Sequence, residues 1–164
     1  MRNNKMKTLY MAVLLAAVLL LGLAACGSAA PKVDWTLTVS GAVSTPLTLS
    51  YKDLAKMPQT DLKGVLMQKS EGEDQTGDWS GIPLQAILDK AGADANWKSI
   101  TASAADGYAM EIPKEETQDG IVALKQDGKW LLDANPDQGP IRFVFPHVPA
   151  NRWAFQLLEI TVNK

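Results

Sequence analysis

Cysteine and histidine are almost absent from this chain of 164 residues, which has one of each, Cys26 and His147. A single cysteine cannot form a disulfide within the chain, and it cannot hold an iron–sulfur cluster, which needs several thiolates. A catalytic zinc site needs about three protein ligands, and one histidine without a spare cysteine does not supply them. We therefore expect a domain that is stabilised by packing and that has no metal site.

Long hydrophobic runs are also lacking, except for one at the N-terminus. Three basic residues lie within the first seven positions, and residues 9–23 are uncharged and largely apolar. A membrane-spanning helix needs about 20 apolar residues, whereas this run is shorter and is followed by small residues. The sequence predicts a cleaved signal peptide over residues 1–25.

The run leads into Leu23-Ala24-Ala25-Cys26, which resembles the bacterial lipobox, where the cysteine is diacylated and the preceding peptide is removed. Each acyl chain contributes about 0.8 kcal/mol per buried methylene group, so several chains hold a protein firmly on a membrane. The alternative is an ordinary secretory signal in which Cys26 is a small buried residue. We expect lipid on Cys26, a flexible tether over residues 26–33, and an extracytoplasmic domain over residues 34–164. The anchor would lie in the cell membrane, or in the outer membrane if the cell has one.

Positive charge is scarce after the signal peptide. Residues 26–164 contain all 18 acidic side chains but 13 of the 16 basic ones, which gives a formal charge of −5. An acidic domain binds nucleic acid poorly. The chain also lacks the glycine-rich motifs of nucleotide-binding proteins and the Gly-x-Ser-x-Gly elbow of α/β-hydrolases. We expect the domain to bind a small anionic or polar ligand or an envelope protein partner, and not nucleic acid.

Apolar side chains recur with the period of short strands along most of the mature chain. Trp35, Leu37 and Val39 alternate with polar residues, which predicts a half-buried strand. Further extended segments are expected at 46–49, 59–68, 99–104, 108–112, 121–126, 130–132, 141–145 and 155–162. Many short strands without a βαβ rhythm indicate an α+β domain with mixed or antiparallel sheets.

Two helices interrupt these strands. Ser50 is a suitable N-cap for a brief helix over 51–56, which the Met57-Pro58 step ends. After a polar loop at 70–78, Pro83 fits the first turn of a longer helix, and residues 84, 87, 88 and 91 form its apolar face. Gly92 is the expected stop.

Six segments follow one another in a characteristic order and spacing: Val39-Ser40-Gly41-Ala42-Val43, residues 49–58, Trp79-Ser80-Gly81-Ile82-Pro83-Leu84 with its helix, Asp106-Gly107-Tyr108, residues 139–146, and residues 153–162. Together they resemble the molybdopterin-binding domain of the sulfite oxidase type, including its small bacterial versions. The resemblance covers nearly the whole mature chain. It implies a compact domain of mixed sheets with few short helices around a cofactor cleft.

The chain departs from this family where the family binds its metal. Enzymes of the family hold molybdenum through a cysteine thiolate before the Trp-x-Gly segment, where this chain reads Val65-Leu66-Met67-Gln68-Lys69-Ser70-Glu71-Gly72. A thioether, amide or hydroxyl does not replace a thiolate as a ligand to a high-valent metal. The stretch that holds the pterin is also altered, at residues 147–152. We expect a degenerate member without a cofactor, and molybdopterin is suggested by the resemblance alone.

Six residues are candidates for a ligand cleft between the segments at 79–81, 106–108 and 142–152: Trp79, Asp106, Tyr108, Arg142, His147 and Arg152. The three basic side chains would donate hydrogen bonds, while the aromatic residues would form apolar walls. All of them except Asp106 have a structural alternative: an ion pair for Arg142, a loop cap for His147, a solvated strand end for Arg152, and core packing for the aromatics. An acid-rich loop at 71–78 lacks the spacing of an EF-hand, so it is better explained as a solvated loop than as a calcium site.

These observations leave three hypotheses. The first is a membrane-anchored, non-catalytic ligand-binding or interaction module. The second is an atypical molybdopterin-dependent oxidoreductase that works without the thiolate. The third is a structural protein of the cell envelope.

Overall fold

The computed structural model describes residues 29–164, which form ten strands and three short helices arranged around two sheets. The predicted α+β class, with mixed sheets and few short helices, is confirmed. The predicted signal peptide, the lipidation site Cys26 and the start of the tether lie outside the described residues. None of the described helices is long and apolar enough to cross a membrane.

The first sheet places the beginning and the end of the described chain side by side. Its strands, in spatial order, are β2 (Leu47–Ser50), β1 (Thr36–Gly41), β10 (Leu157–Asn163), β5 (Ser99–Ala104) and β6 (Ala109–Pro113). β1 and β10 are parallel, and the other neighbours are antiparallel. Leu37 and Val39 of β1 are fully buried, as the alternation in the sequence predicted.

The second sheet is antiparallel throughout. It contains β3 (Thr60–Met67), β4 (Gln75–Pro83), β7 (Ile121–Gln126) and β8 (Lys129–Trp130), with β9 (Arg142–Val144) also paired to β7. The first four residues of β7 are all buried, because neighbouring strands and both faces cover it. β7 therefore holds β4 and β9 in place around the core.

The helices α1 (Tyr51–Lys56) and α2 (Leu84–Ala91) confirm the two predicted segments. In α1, the Ser50 hydroxyl accepts a hydrogen bond from the Asp53 backbone N–H, and the Asp53 carboxylate accepts one from the Ser50 N–H. This reciprocal cap satisfies two backbone donors that a helix start leaves free. In α2, the predicted apolar face is buried, and Gly92 ends the helix in the left-handed region with φ of 63°.

Three local predictions were wrong. The polar segment at 70–78 is not all loop, because β4 begins at Gln75 and residues 75–77 pair with the end of β3. The segment at 130–132 is not a strand, since the backbone turns after Trp130 into the short helix α3 (Leu131–Ala134). Pro83 is the N-cap of α2 and the last residue of β4, where it pairs with Ile121, so it is not in the first helical turn. Cross-strand pairing overrides local polarity and propensity at residues 75–77 and at Pro83.

Candidate ligand cleft

Arg142 is buried among aromatic rings. It lies on β9 opposite Ala123 and is 3% exposed. Its guanidinium carbon is 5.1 Å from the ring centroid of Trp79, 5.6 Å from that of Trp153 and 5.9 Å from that of Phe155. A cation within about 6 Å of an aromatic face is attracted by the ring quadrupole. We call these three rings the aromatic cage.

The guanidinium of Arg142 has few polar partners. Its Nη1 donates to Oε1 of Gln138, while its Nε is buried without a hydrogen-bond partner. No carboxylate within residues 29–164 forms an ion pair with it. Burial lowers the pKa of Arg142 to about 10, so the side chain remains charged at neutral pH. A buried charge with an unpaired donor costs free energy, and an acceptor carried by a ligand would relieve that cost.

Trp79 forms the inner wall of the cage. It is 1% exposed and packs edge-to-face on Trp153, with ring centroids 5.9 Å apart and an angle of 90° between the planes. Its Nε1 is buried without a hydrogen-bond partner. Trp79 therefore supports the cation from the core side.

A cleft of about 290 Å³ adjoins the aromatic cage. Trp153 and Phe155 belong to both, because they border the cleft and also face Arg142. Tyr108 and Phe155 are 52% and 41% exposed, so aromatic surface surrounds the opening. The cleft is lined by Ala104, Asp106, Tyr108, Ala150, Asn151, Trp153, Ala154 and Phe155.

Asp106 shapes the turn that presents Tyr108. Its Oδ1 accepts a hydrogen bond of 2.9 Å from the Tyr108 backbone N–H. Gly107 between them has φ of 84°, a conformation that glycine adopts without strain. The carboxylate thus fixes the backbone of the turn while it borders the cleft.

His147 and Arg152 each contact a carboxylate, and neither belongs to this cleft lining. The His147 Nε2 is 2.9 Å from Oδ2 of Asp119, at the edge of a separate groove of about 740 Å³. The Arg152 Nε is 2.9 Å from Oε2 of Glu116. The structure therefore brings Asp106 and Tyr108 together beside the site of Trp79 and Arg142, and it places the other two candidates elsewhere. The ligand-binding roles of all six residues remain predictions.

Sequence reasoning placed Asn151 in a cleft segment without naming it as a candidate, and it missed Trp153 and Phe155 as cleft residues. Trp153 and Phe155 were assigned only to the final strand, but β10 begins two residues after Phe155. An isolated antiparallel bridge instead joins Phe155 to Arg142. The two-residue spacing of the aromatic side chains was the available signal, whereas the bridge to β9 is a tertiary contact that no local pattern contains.

A family model described as the oxidoreductase molybdopterin binding domain matches residues 27–164. The chain belongs to this family. This match confirms the predicted resemblance to the sulfite-oxidase-type molybdopterin-binding domain. It extends over all the residues that the structure describes.

Relatives of the molybdopterin-binding family that this chain resembles are longer proteins. The uncharacterized oxidoreductase YuiH of Bacillus subtilis is 26% identical over 117 residues, which cover 70% of this chain and 58% of YuiH. The NADPH nitrate reductase of Beauveria bassiana is 28% identical over 160 residues, or 80% of this chain and 18% of the enzyme. The NADH nitrate reductase of Solanum lycopersicum is 25% identical over 165 residues, which cover 79% of this chain and 18% of the enzyme. The chain thus spans little more than half of YuiH and less than a fifth of these reductases.

A solved structure shares the fold. The sulfane dehydrogenase SoxCD of Paracoccus pantotrophus superposes with a TM-score of 0.68 at 22% sequence identity. The superposition covers 83% of this chain and 40% of the SoxCD chain. The two proteins therefore share the mixed-sheet fold over this region.

The described residues do not fit the molybdenum centre that the molybdopterin-binding family implies. Residues 29–164 contain no cysteine, and no group of three or more His, Cys, Asp or Glu side chains within them is placed to hold a metal ion. The segment at 65–72 is hydrogen-bonded to one residue of the cleft lining, because the Gln68 carbonyl accepts a 2.9 Å hydrogen bond from the N–H of Ala150. Met67 in this segment is buried and Gln68 is exposed, and neither a thioether nor an amide replaces a thiolate. The described residues therefore form a cleft but lack the expected metal ligand.

Proposed function

We propose that this protein is an extracytoplasmic, lipid-anchored member of the molybdopterin-binding family that binds a small anion without redox turnover. The observation that carries the proposal is Arg142, a buried cation without an ion pair in the described residues, beside a cleft in a domain without a thiolate.

The chemistry of Arg142 favours an oxyanion or carboxylate. A guanidinium offers several N–H donors in a fixed plane, and its hydrogen bonds to charged oxygens are stronger than those between neutral groups. Within residues 29–164, Nε has no acceptor, and the charge is balanced by the aromatic faces and by Gln138. An anion entering from the cleft would reach the guanidinium past the partly exposed ring of Phe155.

Thermal unfolding in the presence of small oxyanions tests this binding. A ligand that binds only the folded state raises the melting temperature in proportion to the logarithm of its concentration over Kd. Nitrate, sulfite and phosphate are suitable probes, because relatives act on nitrate or belong to the sulfite-oxidase-type fold. We expect at least one of them to raise the melting temperature above that in chloride at equal ionic strength.

The matched variant for this measurement is Arg142→Met, which keeps most of the apolar volume inside the cage. It should abolish the oxyanion-specific shift, with its own unliganded melting temperature as the reference. Equal shifts in the wild type and in Arg142→Met, or no shift with any probe, would contradict the anion site at Arg142.

The anchor is supported by the lipobox sequence at residues 23–26 and by the charged and apolar segments before it. Replacing the thiol in Cys26→Ser should abolish metabolic labelling with palmitate and release the domain into the soluble fraction. If Cys26→Ser protein stays on the membrane at the wild-type level, the anchor is not a lipid on Cys26.

A further inference from the structure

The tether and the cleft lie at the same end of the first sheet. Thr36 at the start of β1 pairs with Ser50, and the parallel register with β10 places Thr36 level with Leu157. Leu157 in turn pairs with Ala104 at the end of β5. We call this the proximal end of the domain, and the opposite end, which contains Ser99 and Asn163, the distal end.

The proximal end is fixed to the tether by direct contacts. The Trp35 indole N–H donates a 2.8 Å hydrogen bond to the Leu157 carbonyl, and Val33 packs against the core. Val33 lies seven positions after Cys26, and an extended chain spans about 3.5 Å per residue, so this segment reaches about 25 Å at most. A lipid on Cys26 would therefore keep the proximal end closer to the bilayer than the distal end.

The same end exposes apolar side chains. The turn that follows Ala104 carries Tyr108, and Phe155 lies just before the start of β10. These two rings are 52% and 41% exposed, and Leu158 on β10 is 38% exposed. Aromatic side chains with one apolar and one polar side are enriched at the headgroup level of membranes.

We propose that the proximal end rests on the lipid surface, with Tyr108, Phe155 and Leu158 among the headgroups and with the cleft opening toward the membrane. This inference rests on the lipidation of Cys26 proposed above. The cleft lining contains Asp106 and no lysine or arginine, so the contact is made by aromatic and aliphatic groups with lipid and does not depend on anionic headgroups. The ligand of the cleft would then arrive from the membrane surface.

Two matched labelling sites test this orientation in the full lipidated protein. Ala105 is exposed at the proximal end beside the Asp106 turn, and Ala95 is exposed at the distal end beside Asp94. In Ala105→Cys and Ala95→Cys, the added cysteine is the only free thiol when Cys26 carries lipid, so a fluorophore attaches at one position. The proteins are placed in vesicles of phosphatidylethanolamine and phosphatidylglycerol that contain a headgroup-quenching lipid.

We expect the label at position 105 to be quenched and the label at position 95 to keep its emission. Adding Tyr108→Ser and Leu158→Ser, which alter exposed side chains, should reduce this difference while the protein stays on the vesicles. Equal quenching at both positions in membrane-bound wild-type background would overturn the orientation and leave the anchor intact. Protein that fails to associate with vesicles would instead show that the lipid anchor itself is wrong, and the orientation with it.

Discussion

At the scale of single residues, Arg142 is the most informative side chain of the domain. The sequence predicted that Arg142 donates hydrogen bonds to an anionic ligand or forms an ion pair with a carboxylate, because an arginine at the start of an apolar strand needs a partner. The structure replaces the expected carboxylate with three aromatic faces and Gln138. A buried ionic group of this kind seldom improves stability over an apolar side chain of similar size, which favours a role in binding.

Tyr51 provides a residue-scale test that is independent of the cleft. Its hydroxyl is buried without a hydrogen-bond partner, and its ring packs on Trp130 at 6.3 Å between centroids. Tyr51→Phe keeps the ring and removes the unsatisfied hydroxyl, so we expect the free energy of unfolding at pH 7 to rise by about 1 kcal/mol. Urea unfolding monitored by circular dichroism measures this change.

The pH dependence of the same variant adds a second readout. Burial, and then the negative charge of Asp133, raises the pKa of Tyr51 from 10.0 to about 12. Between these values unfolding releases a proton from Tyr51, so the wild type loses stability as the pH rises from 10 to 12. Tyr51→Phe should lose less over that interval. A less stable variant would show that the hydroxyl is satisfied in the folded protein, and an unchanged slope would show that folding does not raise the pKa of Tyr51.

At the scale of elements, the apolar residues that recur along α2 are the ones that pack into the core. Leu84, Ile87 and Leu88 are buried, whereas Gln85 is exposed and donates to the Asp89 carboxylate at 2.7 Å. Leu88→Ala should lower the free energy of unfolding by about 2–5 kcal/mol, since it removes buried methyl groups and leaves a cavity. Thermal melts of Leu88→Ala and of the exposed control Gln85→Ala measure the contrast. Similar melting temperatures for the two variants would contradict the observed orientation of α2.

Elements with a strong local signal were predictable. The period-two alternation of β1, the cap formed by Ser50 with Asp53, and the apolar stripe of α2 all depend on neighbours within a few residues. The start of β4 and the turn into α3 were not predictable, because both are set by distant partners. Residues 75–77 become a strand through pairing with β3, and Leu131 is buried where α3 packs beside β7.

At the scale of the whole molecule, the candidate site is assembled by tertiary contacts. Trp79, Arg142 and Trp153 come from three separate parts of the sequence and meet because β7 holds β4 and β9 on its two sides. The sequence could nominate Trp79 and Arg142 by their motifs. It could not show that His147 and Arg152 contact the carboxylates of Asp119 and Glu116, since those contacts depend on how distant loops meet.

A cleft without a thiolate in the described residues is the basis of the proposed function. The chain has the fold of the molybdopterin-binding family, and the Gln68 carbonyl in the segment at 65–72 is hydrogen-bonded to Ala150 of the cleft lining. Because no cysteine lies in residues 29–164, this site lacks the ligand that would hold molybdenum for redox turnover. A protein can keep its fold while it loses the activity of a site, because the activity depends on a few particular side chains.

The most direct test is the molybdenum content of the mature protein purified from a host that makes molybdopterin, with a known molybdoenzyme from the same host as the loading control. The account predicts molybdenum far below one atom per chain, no cofactor absorption band, and no reductase or sulfite-oxidising activity. Near-stoichiometric molybdenum, with turnover that disappears in Arg142→Ala, would contradict it and identify the protein as an oxidoreductase.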